Sequence, residues 1–131
     1  MKSRILSCVV SVIVTSGLLV LITSHASAQD KRVIRIAKIQ VDPAQLDSYN
    51  AALKEQIQAA VRIEPGVVML YAVHDRKIPT NVTVFEIYAD TAAYHSHIQT
   101  AHFRKYKATT TKMVTALELT DVTAIELAQK K

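Results

Sequence analysis

From Val33 onward, the spacing of apolar positions switches repeatedly between two residues and about 3.6 residues, the marks of strand and helix. Val33 to Val41, V-I-R-I-A-K-I-Q-V, reads as a strand with Val33, Ala37, Ile39 and Val41 on one side and Ile34 and Ile36 on the other. Asp42 and Pro43 end it and open a helix, with Asp42 as N-cap, Pro43 in the first turn and Gln45 completing a capping-box pattern. Leu46, Tyr49, Leu53, Ile57, Ala60 and Val61 form its apolar stripe, and Pro65-Gly66 stops it after Glu64.

Val67 to His74 is an almost continuous apolar run, followed by a polar turn from Asp75 to Asn81 and a second strand from Val82 to Ala89. So short a connection predicts an antiparallel hairpin. A turn centred near Ile78-Pro79 places Tyr71 opposite Glu86, with about 5 Å between their Cβ atoms. A slip of one residue would put them on opposite faces. Asp90 caps a second helix that runs, with room for one break, to about Val114. Its apolar side holds Tyr94, Ile98, Ala101 and Tyr106, and Arg104, Lys105, Lys107 and Lys112 lie outside. Ala116 to Leu127 reads as a last strand with Leu117 and Leu119 on one face.

The order β-α-β-β-α-β predicts an α+β, ferredoxin-like fold, in which two helices cover one face of a four-stranded antiparallel sheet. The other face of a lone domain should be polar, yet these strands are apolar on both sides. A second copy of the sheet is the simplest cover, which predicts a homodimer.

The first 28 residues carry a different pattern. Lys2 and Arg4 precede an apolar run from Ile5 to Ile22, and Ala26-Ser27-Ala28 fits a signal-peptidase site. Residues 1–28 are therefore expected to be a signal peptide cleaved after Ala28, with residues 29–131 forming one domain in the periplasm or outside the cell. A retained anchor is the alternative, because a spanning helix needs about 20 apolar residues. Cleavage would remove Cys8, the single cysteine, and with it any disulfide or thiol chemistry. It would also lower the net charge from +5 to +3 by removing Lys2 and Arg4. So small and scattered an excess does not suggest nucleic acid as a partner, and no membrane association is expected after cleavage.

Candidate chemistry concentrates between Val82 and Phe103. Glu86 interrupts an otherwise apolar strand, and a buried carboxylate needs a partner or its pKa rises. It could orient a histidine, bind a substrate hydroxyl, or satisfy a tyrosine or an arginine such as Arg35. His95, His97 and His102 follow on the second helix. On one continuous helix, His95 and His97 point about 160° apart and His97 and His102 about 140° apart, while His95 and His102 stand about 10 Å apart along the axis. No pair has the i, i+4 spacing of helical zinc motifs, so no metal is expected.

The stretches I-A-K-I-Q-V-D-P-A at 36–44, E-P-G-V at 64–67, T-V-F-E-I-Y-A-D at 83–90 and A-A-Y-H-S-H-I-Q-T-A-H-F at 92–103 together resemble the antibiotic biosynthesis monooxygenase domain family, and its small quinol-monooxygenase-like members in particular. The resemblance spans about Val33 to Val122 and implies a dimeric α/β barrel with a pocket between sheet and helices in each protomer. It further implies oxidation of hydroquinones or polycyclic phenols by O2, with no metal or flavin cofactor. Similar proteins often have proline where this chain has Ala101, so nothing at that position kinks the helix before His102.

His102 and His97 match the family's motif and are the candidates for the base, with Glu86 as the third catalytic candidate. The structural alternative is that His102 packs the helix end beside Phe103 and His97 bonds a backbone carbonyl. Tyr71, Tyr88, Tyr94 and Phe103 would line a flat aromatic substrate pocket. Heme-degrading relatives share the fold, but their axial histidine corresponds to Lys107 here, and the chain has no tryptophan to match theirs. The expected function is cofactor-independent oxygenation or oxidation of a small hydroquinone or phenol. The alternative is a non-catalytic, stress-associated module that binds small hydrophobic molecules.

Overall fold

The computed structural model describes residues 30–128 and 130. The expected signal peptide and its cut after Ala28 lie outside the described residues. The order of elements is β1 (Val33–Val41), a 3-10 turn (Pro43–Gln45), α1 (Leu46–Ile63), β2 (Val67–His74), β3 (Asn81–Tyr88), α2 (Thr91–His97), α3 (Ala101–Thr110) and β4 (Val114–Val122). The strands form one sheet in the order β2-β3-β1-β4, every neighbouring pair antiparallel. This is the ferredoxin-like α+β arrangement. Within one chain the sheet stays open and does not close into a barrel. No helix among the described residues is long and apolar enough to cross a membrane.

One face of the sheet packs on the helices. Ala37, Ile39 and Val41 of β1 join Val82 and Val84 of β3 beneath Tyr49 and Leu53 of α1. A second cluster, of Ala60, Val67, Leu70 and Tyr88, lies nearer the C-terminal end of α1. The apolar stripe of α1 turns further than expected. Val61 is 52% exposed, while the polar Gln56 is buried at 5%. The expected capping box does not form either. The Asp42 side chain accepts from Ala44 N (2.9 Å), but the Asp42 amide donates to Met113 O instead of meeting Gln45. A 3-10 turn results, and α1 begins at Leu46 without a side-chain cap.

The hairpin register differs by one residue from the expected one. Leu70, not Tyr71, pairs with Glu86, and Tyr71 pairs with Phe85. The cause is the turn. Asp75 Oδ1 accepts from the amides of Lys77 (2.6 Å) and Ile78 (2.9 Å), and the Asp75 amide bonds Asn81 O, centring the reversal on Ile78. Because side chains alternate, this slip sends Tyr71 to the face opposite Glu86, where it is 61% exposed.

Two local devices place the ends of the helices. Gly66 lets the turn between α1 and β2 press against α2, since a Cβ there would stand 2.4 Å from Ala93 Cβ. The second break lies between α2 and α3. Thr100 adopts an extended backbone, accepts from Phe103 N (3.3 Å) and donates to His97 O (2.8 Å). A threonine N-cap therefore interrupts the helix despite Ala101, and His97 and His102 sit on different helices.

Candidate functional site

A cavity of about 90 Å³ lies between the helices and the covered face of the sheet. Tyr88, Tyr94, Phe103 and Tyr106 contribute aromatic walls, with Ile39, Leu70 and Val84 beneath. Leu117 and Leu119 of β4 line its open side and are 47% and 53% exposed. Arg35, Glu86, Gln56, His97 and Lys107 supply polar groups.

At the end formed by β1 and β3, Glu86 and Arg35 are cross-strand partners. Arg35 donates to Asp121 Oδ1 (2.6 Å) and to Tyr94 Oη (2.5 Å), and its Cζ lies 4.4 Å from the centre of the Tyr94 ring. Its ion pair with Asp121 raises the Arg35 pKa and lowers that of Asp121. Glu86 accepts from Tyr88 Oη (3.1 Å). Burial raises its pKa, opposed by the Tyr88 hydrogen bond and the Arg35 charge. Burial also raises the Tyr88 pKa, and the Glu86 charge adds to the effect.

On the helix side, His97 is 2% exposed and is the histidine that lines the cavity among the described residues. Its Nδ1 lies 2.9 Å from Glu64 Oε1 and its Nε2 lies 3.2 Å from Gln56 Nε2. These partners fit a neutral ring that donates from Nδ1 to the carboxylate and accepts from the Gln56 amide. Burial lowers the His97 pKa, with Glu64 pulling the other way. Tyr88 and Phe103 flank the ring, with centroids at 5.2 and 4.8 Å.

His102 is placed elsewhere. It does not line the cavity but faces a separate small recess with Ala52, Glu55 and Lys105, and its Nε2 lies 2.6 Å from Glu64 Oε1. One carboxylate oxygen thus joins both histidines, which the helical angles had set apart. Those angles assumed a single helix, and the Thr100 break removes that premise. Tyr71 is not in the cavity, for the register reason above, whereas Tyr88, Tyr94 and Phe103 are. His95 and His74 are exposed.

Sequence reasoning missed Glu64 and Gln56, although each left a signal. An acid at the C-terminal end of a helix opposes the helix dipole, so Glu64 needed a reason to stand there. Gln56 lies three residues after Leu53, on the side of α1 that turns inward.

The antibiotic biosynthesis monooxygenase family model matches residues 32–109. This chain belongs to that family. A candidate antibiotic biosynthesis monooxygenase from Bacteroides thetaiotaomicron, solved as a crystal structure, is 50% identical, with 77% of this chain and 96% of that one aligned at a TM-score of 0.74. A candidate monooxygenase from Lactobacillus acidophilus is 28% identical over 72% of this chain and 45% of its own, with a TM-score of 0.69. A family protein from Caulobacter crescentus, at 19% identity and a TM-score of 0.69 over 74% of this chain and 92% of its own, shares the fold. None of the curated proteins compared matches this chain.

Proposed function

We propose that this family member is a cofactor-independent monooxygenase or oxidase, acting on a single-ring hydroquinone or phenol with O2. The observation that carries the reading is His97, a neutral imidazole set into an aromatic cavity and held from behind by Glu64. A substrate hydroxyl would take the place of Gln56 at His97 Nε2 and pass its proton there. The phenolate then gives one electron to O2, and the semiquinone and superoxide react further. Electron and proton transfer yields quinone and hydrogen peroxide, while oxygen insertion yields a hydroxyquinone and water. Both balance with the substrate as the sole reductant. Glu64 would steady the imidazolium, and His102 would act only through Glu64, as a positioning residue. Glu86 and Tyr88 are suited to bind the far hydroxyl of a hydroquinone.

The cavity's size favours small substrates, being below the roughly 150 Å³ that accommodates benzene in an engineered core. A ring must therefore press outward past Leu117 and Leu119. The reading includes a homodimer, supported by Tyr71 and Val73, 61% and 63% exposed on the uncovered face of the sheet. It also includes export after cleavage at Ala28, which rests on the sequence pattern. One observation favours the rival reading, a non-catalytic module for small hydrophobic ligands: both ring nitrogens of His97 already have partners.

Oxygen uptake with a hydroquinone, using metal-free protein, tests the proposal. Uptake above the spontaneous rate that falls at least about tenfold in His97→Ala supports it, on the scale of general-base catalysis. A quinone that raises the melting temperature without any turnover would decide for the binding module.

A further inference from the structure

Three helix ends meet behind the cavity and bring Glu64 together with two histidines more than 30 residues further along the chain. Glu64 closes α1, His97 ends α2 and His102 opens α3. Glu64 Oε1 lies 2.9 Å from His97 Nδ1 and 2.6 Å from His102 Nε2, and the three donor atoms fall within 4.8 Å of one another. Their side chains are 10%, 2% and 19% exposed in the same order. Thr100 Oγ1 adds a neutral oxygen 3.2 Å from His102 Nε2.

We propose that this cluster is a binding site for a divalent cation of the zinc class, held by Glu64 Oε1, His97 Nδ1 and His102 Nε2. Two imidazoles and one carboxylate are borderline donors, suited to zinc, cobalt or nickel. Calcium and magnesium require more oxygen ligands than the cluster offers, and no thiolate is present to select copper(I). Zinc holds such ligands at about 2.0–2.2 Å, which spaces tetrahedral donors about 3.3 Å apart. The Glu64 oxygen must therefore draw back from each ring by less than about 1 Å, and the two ring nitrogens, within 4.8 Å of each other, must close by up to about 1.5 Å, movements within reach of side-chain rotation.

Proton accounting is favourable. With both rings neutral and the carboxylate ionised, the donors carry one negative charge and no proton has to leave. Both tautomers change, since each ring otherwise gives its hydrogen to Glu64. His102 must carry it on Nδ1 instead of Nε2, and His97 on Nε2 instead of Nδ1. The His97 Nδ1 lone pair turns to the metal, and Nε2–H donates to Gln56, whose amide rotates to present oxygen. Gln56 then orients the ligand from its far side, as partners of metal-bound histidines commonly do. The fourth position falls to water or the Thr100 hydroxyl.

This site does not depend on the oxygenase reading, since a metal here would take His97 away from proton transfer. Zinc should therefore inhibit any hydroquinone oxidation, but binding itself is measured without turnover. Chelator-stripped protein titrated with zinc alone should take up one ion per chain and melt at a higher temperature. Cobalt(II) alone should give the intense visible absorption of a tetrahedral site. His102→Ala and Glu64→Gln should each weaken zinc binding by at least about tenfold, while His74→Ala, distant and exposed, binds like wild type. His102→Ala keeps the test usable should Glu64→Gln fold poorly. Failure to bind zinc at micromolar concentration, or affinity unchanged in His102→Ala, overturns the site. Affinity lost equally in His74→Ala does so too.

Discussion

Glu64 offers the sharpest test of how this end of the molecule is held together. Its Oε1 accepts from His97 and His102 at 2.9 and 2.6 Å, and its side chain is 10% exposed. Glu64→Ala removes both acceptor contacts and leaves two ring N–H groups in a largely dry junction. Each lost bond to a charged partner costs about 1.5–3 kcal/mol, so the substitution should cost about 3–5 kcal/mol. Glu64→Gln retains an acceptor oxygen in the same place and loses only the charge, at about 1 kcal/mol. Urea unfolding followed by circular dichroism measures both. With a slope of about 1.5 kcal/mol per M for a domain of this size, the Ala midpoint should fall by about 2–3 M and the Gln midpoint by less than about 1 M. An Ala variant within about 1 kcal/mol of wild type would refute the reasoning, because the junction would then be solvated rather than bonded. So would a Gln variant as costly as Ala, since charge rather than the acceptor position would be the cause.

Thr100→Ala removes the cap of α3 and its bond to His97 O, and should cost about 1–2 kcal/mol in the same assay. It should also let the two helices merge, visible as altered amide shifts from Ile98 to Phe103 in NMR spectra. Unchanged shifts there would show that something other than Thr100 makes the break. The His97 pKa, lowered by burial, predicts the direction of an effect of pH on stability. The unfolded chain protonates first as pH falls, so stability present above the ordinary value of 6.5 is lost below it. Between about pH 7.5 and 5.5, wild type should therefore lose more stability than His97→Gln. Equal losses would remove His97 as the cause. Glu86, with its raised pKa, acts the opposite way, costing stability as pH rises above 4.5.

The sequence by itself determined what is local. The apolar spacing of 33–41, 67–74 and 82–89 located three strands within a residue, because alternation and turn chemistry act over short stretches. The order of elements was enough for the ferredoxin-like topology, and four short stretches together were enough for the family. Asp90 was legible as a cap, and its side chain accepts from Ala93 N at 2.8 Å. Glu86 and Tyr88 could be assigned to one site because alternation along β3 puts them on the same face, and Tyr94 and Phe103 lie in the cavity with them.

The tertiary structure alone decided how separate segments meet. Which side of the sheet Tyr71 occupies hung on a single residue of register, and the Asp75 carboxylate set that by where it bound the turn. His97 and His102 seemed to diverge because helical angles hold only while a helix continues, and Thr100 ended it. Glu64 read as the last residue of a helix that Pro65-Gly66 stops, since no local pattern records that a residue 33 positions before His97 will lie against its ring. That meeting depends on the turn after α1 lying close to α2 at Gly66 and Ala93, a long-range contact that the periodicity of either helix cannot encode.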